Sequence, residues 1–200
     1  RVAPSDELQG DALADVVASR GHVSTAVIAM TNDYGAGLAD SFTTNFGAMD
    51  GHAVCARYDY DDKTIDSAIV AEAVAAIADA SVACDSVLLA SYSPDGAMMM
   101  GGMYMASALL PAFGPDGMAG TAALDSFENN ALSNGMIVTN PRGGTSAGDF
   151  AADCAANEVC SGGIFTSQAY DSLMIGAAAK MGDGADMATH IAMVGSGDGY

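Results

Sequence analysis

The sequence predicts an α/β fold, a doubly wound parallel sheet with helices on both faces. Two observations carry this. The runs at residues 25–30, 86–90 and, more briefly, 112–113 hold almost no strongly polar side chains, as strands covered on both sides require. Between them lie longer stretches whose apolar residues recur every three to four positions, the period of a helix lying on a sheet. Strand and helix alternate along the chain, and helical crossovers between neighbouring strands give parallel pairing.

Each element has its own signals. Ser5 is a capping residue for a helix over residues 6–20, in which Leu8, Ala12, Leu13, Val16 and Val17 share one face and Gly21 is the stop. After the strand at 25–30, a turn through Asn32, Asp33, Tyr34 and Gly35 opens a helix with Leu38, Phe42 and Phe46 at i+4 spacing, closed by Gly51. Residues 52–58 read as the next strand. An acidic turn with Asp59, Asp61 and Asp62 then leads to a helix over 64–80 carrying Ile65, Ile69, Val70, Val74 and Ile77. The strand at 86–90 closes a second crossover. Pro94 and Asp95 suit the first turn of the following helix, where a missing amide hydrogen and a negative charge are tolerated. Its Met98, Met99, Met100, Met103 and Met105 are expected to fill the helix–sheet interface, and Gly101 and Gly102 to mark close packing. Beyond the strand at 112–113 come a helical patch near 121–129 and a strand at 136–139. A connector at 142–145, helices near 146–156 and 167–181, and an amphipathic piece at 186–194 complete the chain.

Composition narrows the function. Half of the 200 residues are hydrophobic, enough for a sizeable core. Six Lys and Arg against 25 Asp and Glu give a net charge of -19, a field that repels nucleic acid and anionic lipid. The acids are dispersed, as on a solvated surface. The uncharged portion of 96–115 contains Gly101, Gly102, Pro111 and Gly114 and ends in a strand and turn, so no membrane span is expected. Four cysteines admit two disulfides in an oxidising compartment, Cys154 with Cys160 across a short loop and Cys55 with Cys84 near neighbouring strands. Four reduced, buried thiols fit the same sequence. His22, His52 and His190 stand apart from the cysteines, no Cys-x-x-Cys exists, and no metal or other cofactor is expected.

Gly35-Ala36-Gly37 sits where a dinucleotide fingerprint would begin, but Asp40 fills the third glycine position and would repel a pyrophosphate. Ser91 has no histidine placed to assist it, and no Gly-x-Ser-x-Gly elbow or phosphate loop is present, so no enzyme is expected. Asp59, Asp61 and Asp62 lack the ordered spacing of a calcium loop. Tyr34, Tyr92 and Asp116 remain, each just past a strand. In an open α/β sheet, ligands bind outside the carboxyl ends of the strands, so these three converge. Two phenols and a carboxylate suit a small organic cation or zwitterion, because a desolvated carboxylate needs a cationic partner and a ligand ammonium supplies one.

Arg1 with Pro4-Ser5-Asp6 and Gln9-Gly10, then Asn32-Asp33-Tyr34-Gly35-Ala36-Gly37-Leu38, Ser91-Tyr92-Ser93-Pro94-Asp95, Gly114-Pro115-Asp116-Gly117, Gly135-Met136-Ile137-Val138-Thr139 and Ala169-Tyr170-Asp171-Ser172-Leu173 occur in this order. Their order and spacing resemble the second lobe of type I periplasmic solute-binding proteins, above all the branched-chain amino acid binding proteins of ABC importers. The resemblance implies two α/β lobes that clamp an amino acid, with Tyr34, Tyr92 and Asp116 touching it. Asp116 would meet the α-ammonium, one methylene shorter than the Glu common in the family. It further implies that residues 1–138 form the second lobe and 139–200 a crossover and partial return into a first lobe largely absent from this chain. The isolated chain is then expected to bind free amino acids weakly. The implied partners are an amino acid or related amine and ABC permease subunits. The implied location is periplasmic or extracellular, with any membrane tether outside this sequence. A ligand-sensing domain of a receptor or regulator, for an amide or amino acid, is the alternative of the same fold.

Overall fold

The computed structural model describes residues 5–127, 129–141, 156 and 166–181. Helix α1 (Asp6–Ser19) leads into β1 (Ser24–Met30), α2 (Asp33–Ala48) into β2 (Ala53–Tyr60), α3 (Ser67–Ala78) into β3 (Ser86–Ala90), and α4 (Ser93–Met105) into β4 (Ala112–Gly114). A 3₁₀ turn at Asp116–Met118, the single turn α5 (Thr121–Leu124) and a second 3₁₀ turn at Asn130–Ser133 then precede β5 (Ile137–Val138). All five strands pair in parallel, in the order β2-β1-β3-β4-β5.

Internal contacts divide the chain into two units, Ser5–Asn140 and a second made of Arg1–Pro4 with Pro141–Tyr200. The whole sheet belongs to the first. In the second, helix α6 (Thr166–Met181) carries Gln168, buried, whose carbonyl accepts the Ser172 hydroxyl at 2.8 Å.

The central strands β1 and β3 are buried from end to end, which is why they read as unbroken apolar runs. Their residues still alternate between faces. Ala26, Ile28 and Met30 join Val87 and Leu89 in a cluster with Val70 and Val74 of α3 and Met99, Met100 and Met103 of α4. Val27 and Ala29 join Leu88, Ala90 and Phe113 in a second cluster with Leu13 and Val17 of α1 and Leu38, Phe42 and Phe46 of α2. The expectation for the methionines therefore holds for three of the five. Met98 and Met105 instead face solvent. Gly102 packs so closely on Val70 that a Cβ would collide with the Val70 side chain, whereas Gly101 faces open space, so only one of the pair marks close packing.

The capping signals are realised as hydrogen bonds. Ser5 accepts from the Leu8 amide at 3.3 Å, and Asn32 accepts from the Gly35 amide at 2.9 Å, so α2 starts at Asp33 and Tyr34 lies in its first turn. Gly35 lies against the end of β1, where a Cβ would strike the Met30 backbone; it serves the tight strand-to-helix turn. Gly21, with φ of 87°, ends α1 in the left-handed region glycine favours. Several boundaries differ from those expected, α3 occupying only Ser67–Ala78 of 64–80 and β5 only Ile137–Val138 of 136–139. Strand β2 continues through Tyr60 because Asp59 and Tyr60 stay in register with Ala29 and Met30, and the helical patch after Gly120 is a single turn.

Strand β2 is an edge of the sheet, and Arg57 on it pairs with Asp40 of α2 at 2.6 Å and with Asp59 at 2.9 Å. The β1–β2 register skips Cys55, since Thr25 pairs with Val54 and Ala26 with Ala56. That bulge leaves Cys55 outside the regular pairing. Cys55 forms a disulfide with Cys84, just ahead of β3, across a Cα separation of 5.7 Å. Cys154 and Cys160, His190, and the segments expected at 142–145, 146–155 and 186–194 lie outside the described residues.

Candidate functional site at the carboxyl edge of the sheet

The sheet order makes β1, β3 and β4 neighbours, so the loops that leave their carboxyl ends are neighbours too. Tyr34 stands in the first turn of α2 after β1. Tyr92 is the N-cap residue of α4 after β3, with no side-chain capping bond, and Asp116 opens the 3₁₀ turn after β4. The structure brings all three together. The Tyr34 hydroxyl donates to Asp116 Oδ1 at 2.6 Å and accepts the Gly117 amide at 2.9 Å. The Tyr34 and Tyr92 rings stack with centroids 5.1 Å apart and planes 3° from parallel.

Asp116 is 9% exposed. Tyr34 is its carboxylate's one hydrogen-bond partner among the described residues, and no Lys, Arg or His there pairs with it. An ionised carboxylate has about four acceptor positions, so most of its capacity is unfilled by the protein. Burial, reinforced by the hydrogen bond to Asp116 and by that carboxylate's charge, pushes the Tyr34 phenol far above its ordinary value and keeps it protonated. With its proton committed to Asp116, Tyr34 offers a ligand its ring more than a donor. Tyr92, 46% exposed and free of hydroxyl hydrogen bonds among the described residues, is the phenol open to a ligand.

Residues that the sequence did not single out hold the trio in place. The Ser93 hydroxyl donates to the Gly117 carbonyl at 2.9 Å, tying the start of α4 to the Asp116 turn. A Cβ on Gly117 would stand 2.8 Å from the Tyr34 hydroxyl and 2.9 Å from both the Ser91 carbonyl oxygen and Tyr92 Cδ1. Pro115-Asp116-Gly117 reads in sequence as a turn signal, yet Gly117 has no positive φ; it is required by close approach. Behind the loop, the Tyr60 hydroxyl lies 3.0 Å from Ser91 Oγ and 3.1 Å from Asp95 Oδ2. A strand ended at Tyr58 leaves Tyr60 unassigned, so the sequence signal for this cluster was the strand's true length.

The other candidates stand elsewhere. His22 and His52 precede β1 and β2 at the opposite edge, packed edge-on against Phe113 and Phe46. Asp59 pairs with Arg57, and Asp61 accepts the Lys63 amide at 3.0 Å. No metal-holding group of His, Cys, Asp or Glu occurs among the described residues, and no helix there is long and apolar enough to cross a membrane. An apolar groove of about 910 Å³ opens between α3 and α4, lined by Val70, Val74, Met98, Gly101, Tyr104 and Leu132 among others, and shares no residue with the trio.

No family model matches the chain, and no curated protein matches it by sequence. Solved structures do match. A leucine-binding protein from Thermotoga maritima superposes with a TM-score of 0.75 at 18% identity, covering 97% of this chain and 55% of that one. A branched-chain amino acid transporter substrate-binding protein from Streptococcus pneumoniae, solved with isoleucine, gives 0.72 at 17% identity, with 96% and 55% covered. A solute-binding protein of an ABC transporter from R. palustris, solved with benzoate, gives 0.70 at 15% identity, with 96% and 52% covered. The likeness establishes the fold, that of type I periplasmic binding proteins, and the chain spans little more than half the length of these neighbours.

Proposed function

We propose that this chain is the second lobe, with part of the return to the first, of a substrate-binding protein that delivers an amino acid to an ABC importer. The observation that carries the reading is Asp116: a carboxylate at the carboxyl edge of the sheet, nearly buried and met, among the described residues, by one phenol. A ligand ammonium supplies the missing positive charge and the missing hydrogen-bond donors. The Tyr34–Tyr92 stack provides an apolar wall beside it. The neighbours named for leucine and isoleucine support an apolar, branched side chain. The function is binding without catalysis. Permease subunits as partners and a periplasmic or extracellular location belong to the same reading.

The benzoate complex of one neighbour defines the sharpest test. In calorimetry on the full-length protein, L-leucine or L-isoleucine should bind and benzoate should not, because benzoate would set a second carboxylate against Asp116. Binding of benzoate with no response to either amino acid would overturn the reading.

A further inference from the structure

We infer that Tyr60 is a positioning residue for Tyr92, acting from two strands away through one hydroxyl; the inference rests on the reading of Tyr92 as a ligand contact. Tyr60 ends β2, and β1 lies between β2 and β3, the strand that leads into Tyr92. Its side chain crosses β1 within the cluster that holds Met30, Met99 and Met103, and it is 3% exposed. There its hydroxyl meets two groups of one backbone segment, Ser91 and Asp95. A phenol has a single proton, so both contacts coexist when Ser91 donates to Tyr60 and Tyr60 donates to the Asp95 carboxylate. Ser91 directly precedes Tyr92, and Asp95 lies three residues after it, in the first turn of α4.

The segment from Ser91 to Asp95 is therefore gripped on both sides of Tyr92 by a group outside it. The Tyr92 side chain makes no capping bond and its ring is half exposed, so its own hold is the stack on Tyr34. Two further contacts start from the same segment, the stack on Tyr34 and the Ser93 bond to the Gly117 carbonyl. The Tyr60 hydroxyl sets where this segment sits, and through it the angle at which the Tyr92 ring faces the cleft.

The test reads Tyr92 without a ligand. Its ring-proton NMR signals, assigned through Tyr92→Phe, should be shifted upfield by the stack on Tyr34. In Tyr60→Phe, which keeps the ring and removes the grip, they should move toward the position of an unstacked tyrosine. Asp95→Ala should move them in the same direction, and Asp95→Asn, which keeps an acceptor for Tyr60, should leave them in place. Val74→Ala loosens the core of the same face and should lower the melting temperature without moving them, the result that a purely structural Tyr60 would also give. Unmoved Tyr92 signals in both Tyr60→Phe and Asp95→Ala overturn the inference; if one of the two does not fold, the other decides. L-leucine calorimetry on the full-length protein separates the two levels. Tyr60→Phe should weaken leucine about threefold to tenfold, the range of one lost hydrogen bond. Absence of leucine binding in the parent, with the NMR shifts as expected, removes the amino acid reading and leaves the positioning role standing.

Discussion

Asp85 and Asp116 are two carboxylates at opposite edges of one sheet, and their surroundings differ in the sense opposite to their burial. Asp85, whose side chain is 37% exposed, has a full set of partners at the amino edge: the Val23 amide at 2.9 Å, the Ser24 amide at 3.3 Å, the Ser86 hydroxyl at 3.1 Å and His22 at 3.3 Å. It sits beside the Cys55–Cys84 bridge. Asp116, at 9% exposure, has Tyr34. Burial without partners costs free energy, so a fold that only needed stability would arrange the two the other way round. The amino edge uses its carboxylate to fasten the chain, while the carboxyl edge keeps one in reserve.

The largest expected effect sharpens this contrast directly. In the full-length protein, Asp116→Asn should weaken an amino acid by about 2 to 5 kcal/mol, the range for a desolvated charge pair broken on one side. The melting temperature should change little, because Asn keeps an acceptor for the Tyr34 hydroxyl. Calorimetry and thermal unfolding together check this, and unchanged affinity in a folded variant would break the assignment.

Next in size is the bridge at the opposite edge. Replacing Cys55 and Cys84 by Ser opens a loop with a sequence separation of 29, which should cost about 3.5 kcal/mol by the chain-entropy model. Urea unfolding measures the cost, and leucine affinity should be little changed. Asp85→Ala should follow, destabilising by about 1 to 3 kcal/mol by stranding the Val23 and Ser24 amides, again without a comparable loss of affinity. If it weakened leucine as much as Asp116→Asn, the division of labour between the edges would fail.

The smallest effect is a pH dependence in which the carboxyl edge takes part; Tyr58, beside Glu72, is also pushed up, to about 12. Tyr34 and Tyr60 are both held above the ordinary phenol value of 10.0, chiefly by burial. Above that value the unfolded chain releases protons that the folded chain keeps, so the stabilisation these phenols give below it declines as the pH rises. The decline is at most about 1.4 kcal/mol per pH unit for each. Tyr34→Phe should flatten the fall seen by urea unfolding between about pH 9 and pH 11, whereas Asp85→Ala should not.

Much of this was legible in the sequence, for reasons particular residues show. The alternation of Ala26, Ile28 and Met30 with Val27 and Ala29 is invisible because both faces are buried, yet the unbroken apolar run itself identifies a central strand. Tyr34, Tyr92 and Asp116 were readable because each follows a strand, and strand ends are fixed by local pattern. What could not be read were the contacts made across β1. Tyr60 reaches Ser91 and Asp95 only because β2 and β3 flank the same strand. The Cys55–Cys84 bridge, by contrast, is the pairing expected from two cysteines near neighbouring strands. Nothing in the sequence hinted at the bulge at Cys55. Gly117 was read as a turn residue from its neighbours, when the crowding of Tyr34, Ser91 and Tyr92 around it is what excludes a side chain.

Among the described residues, strand β2 has no neighbouring strand on one side, and such an edge is a template onto which another extended chain can add. Arg57 and Asp59 lie on that strand and are joined by Asp40 of α2, placing charges beside the edge where an incoming strand would have to dock. At a net charge of -19, copies of the molecule also repel one another before the edges meet. The ion pairs on β2, minor for the stability of a single molecule, thereby guard the protein's colloidal behaviour at high concentration.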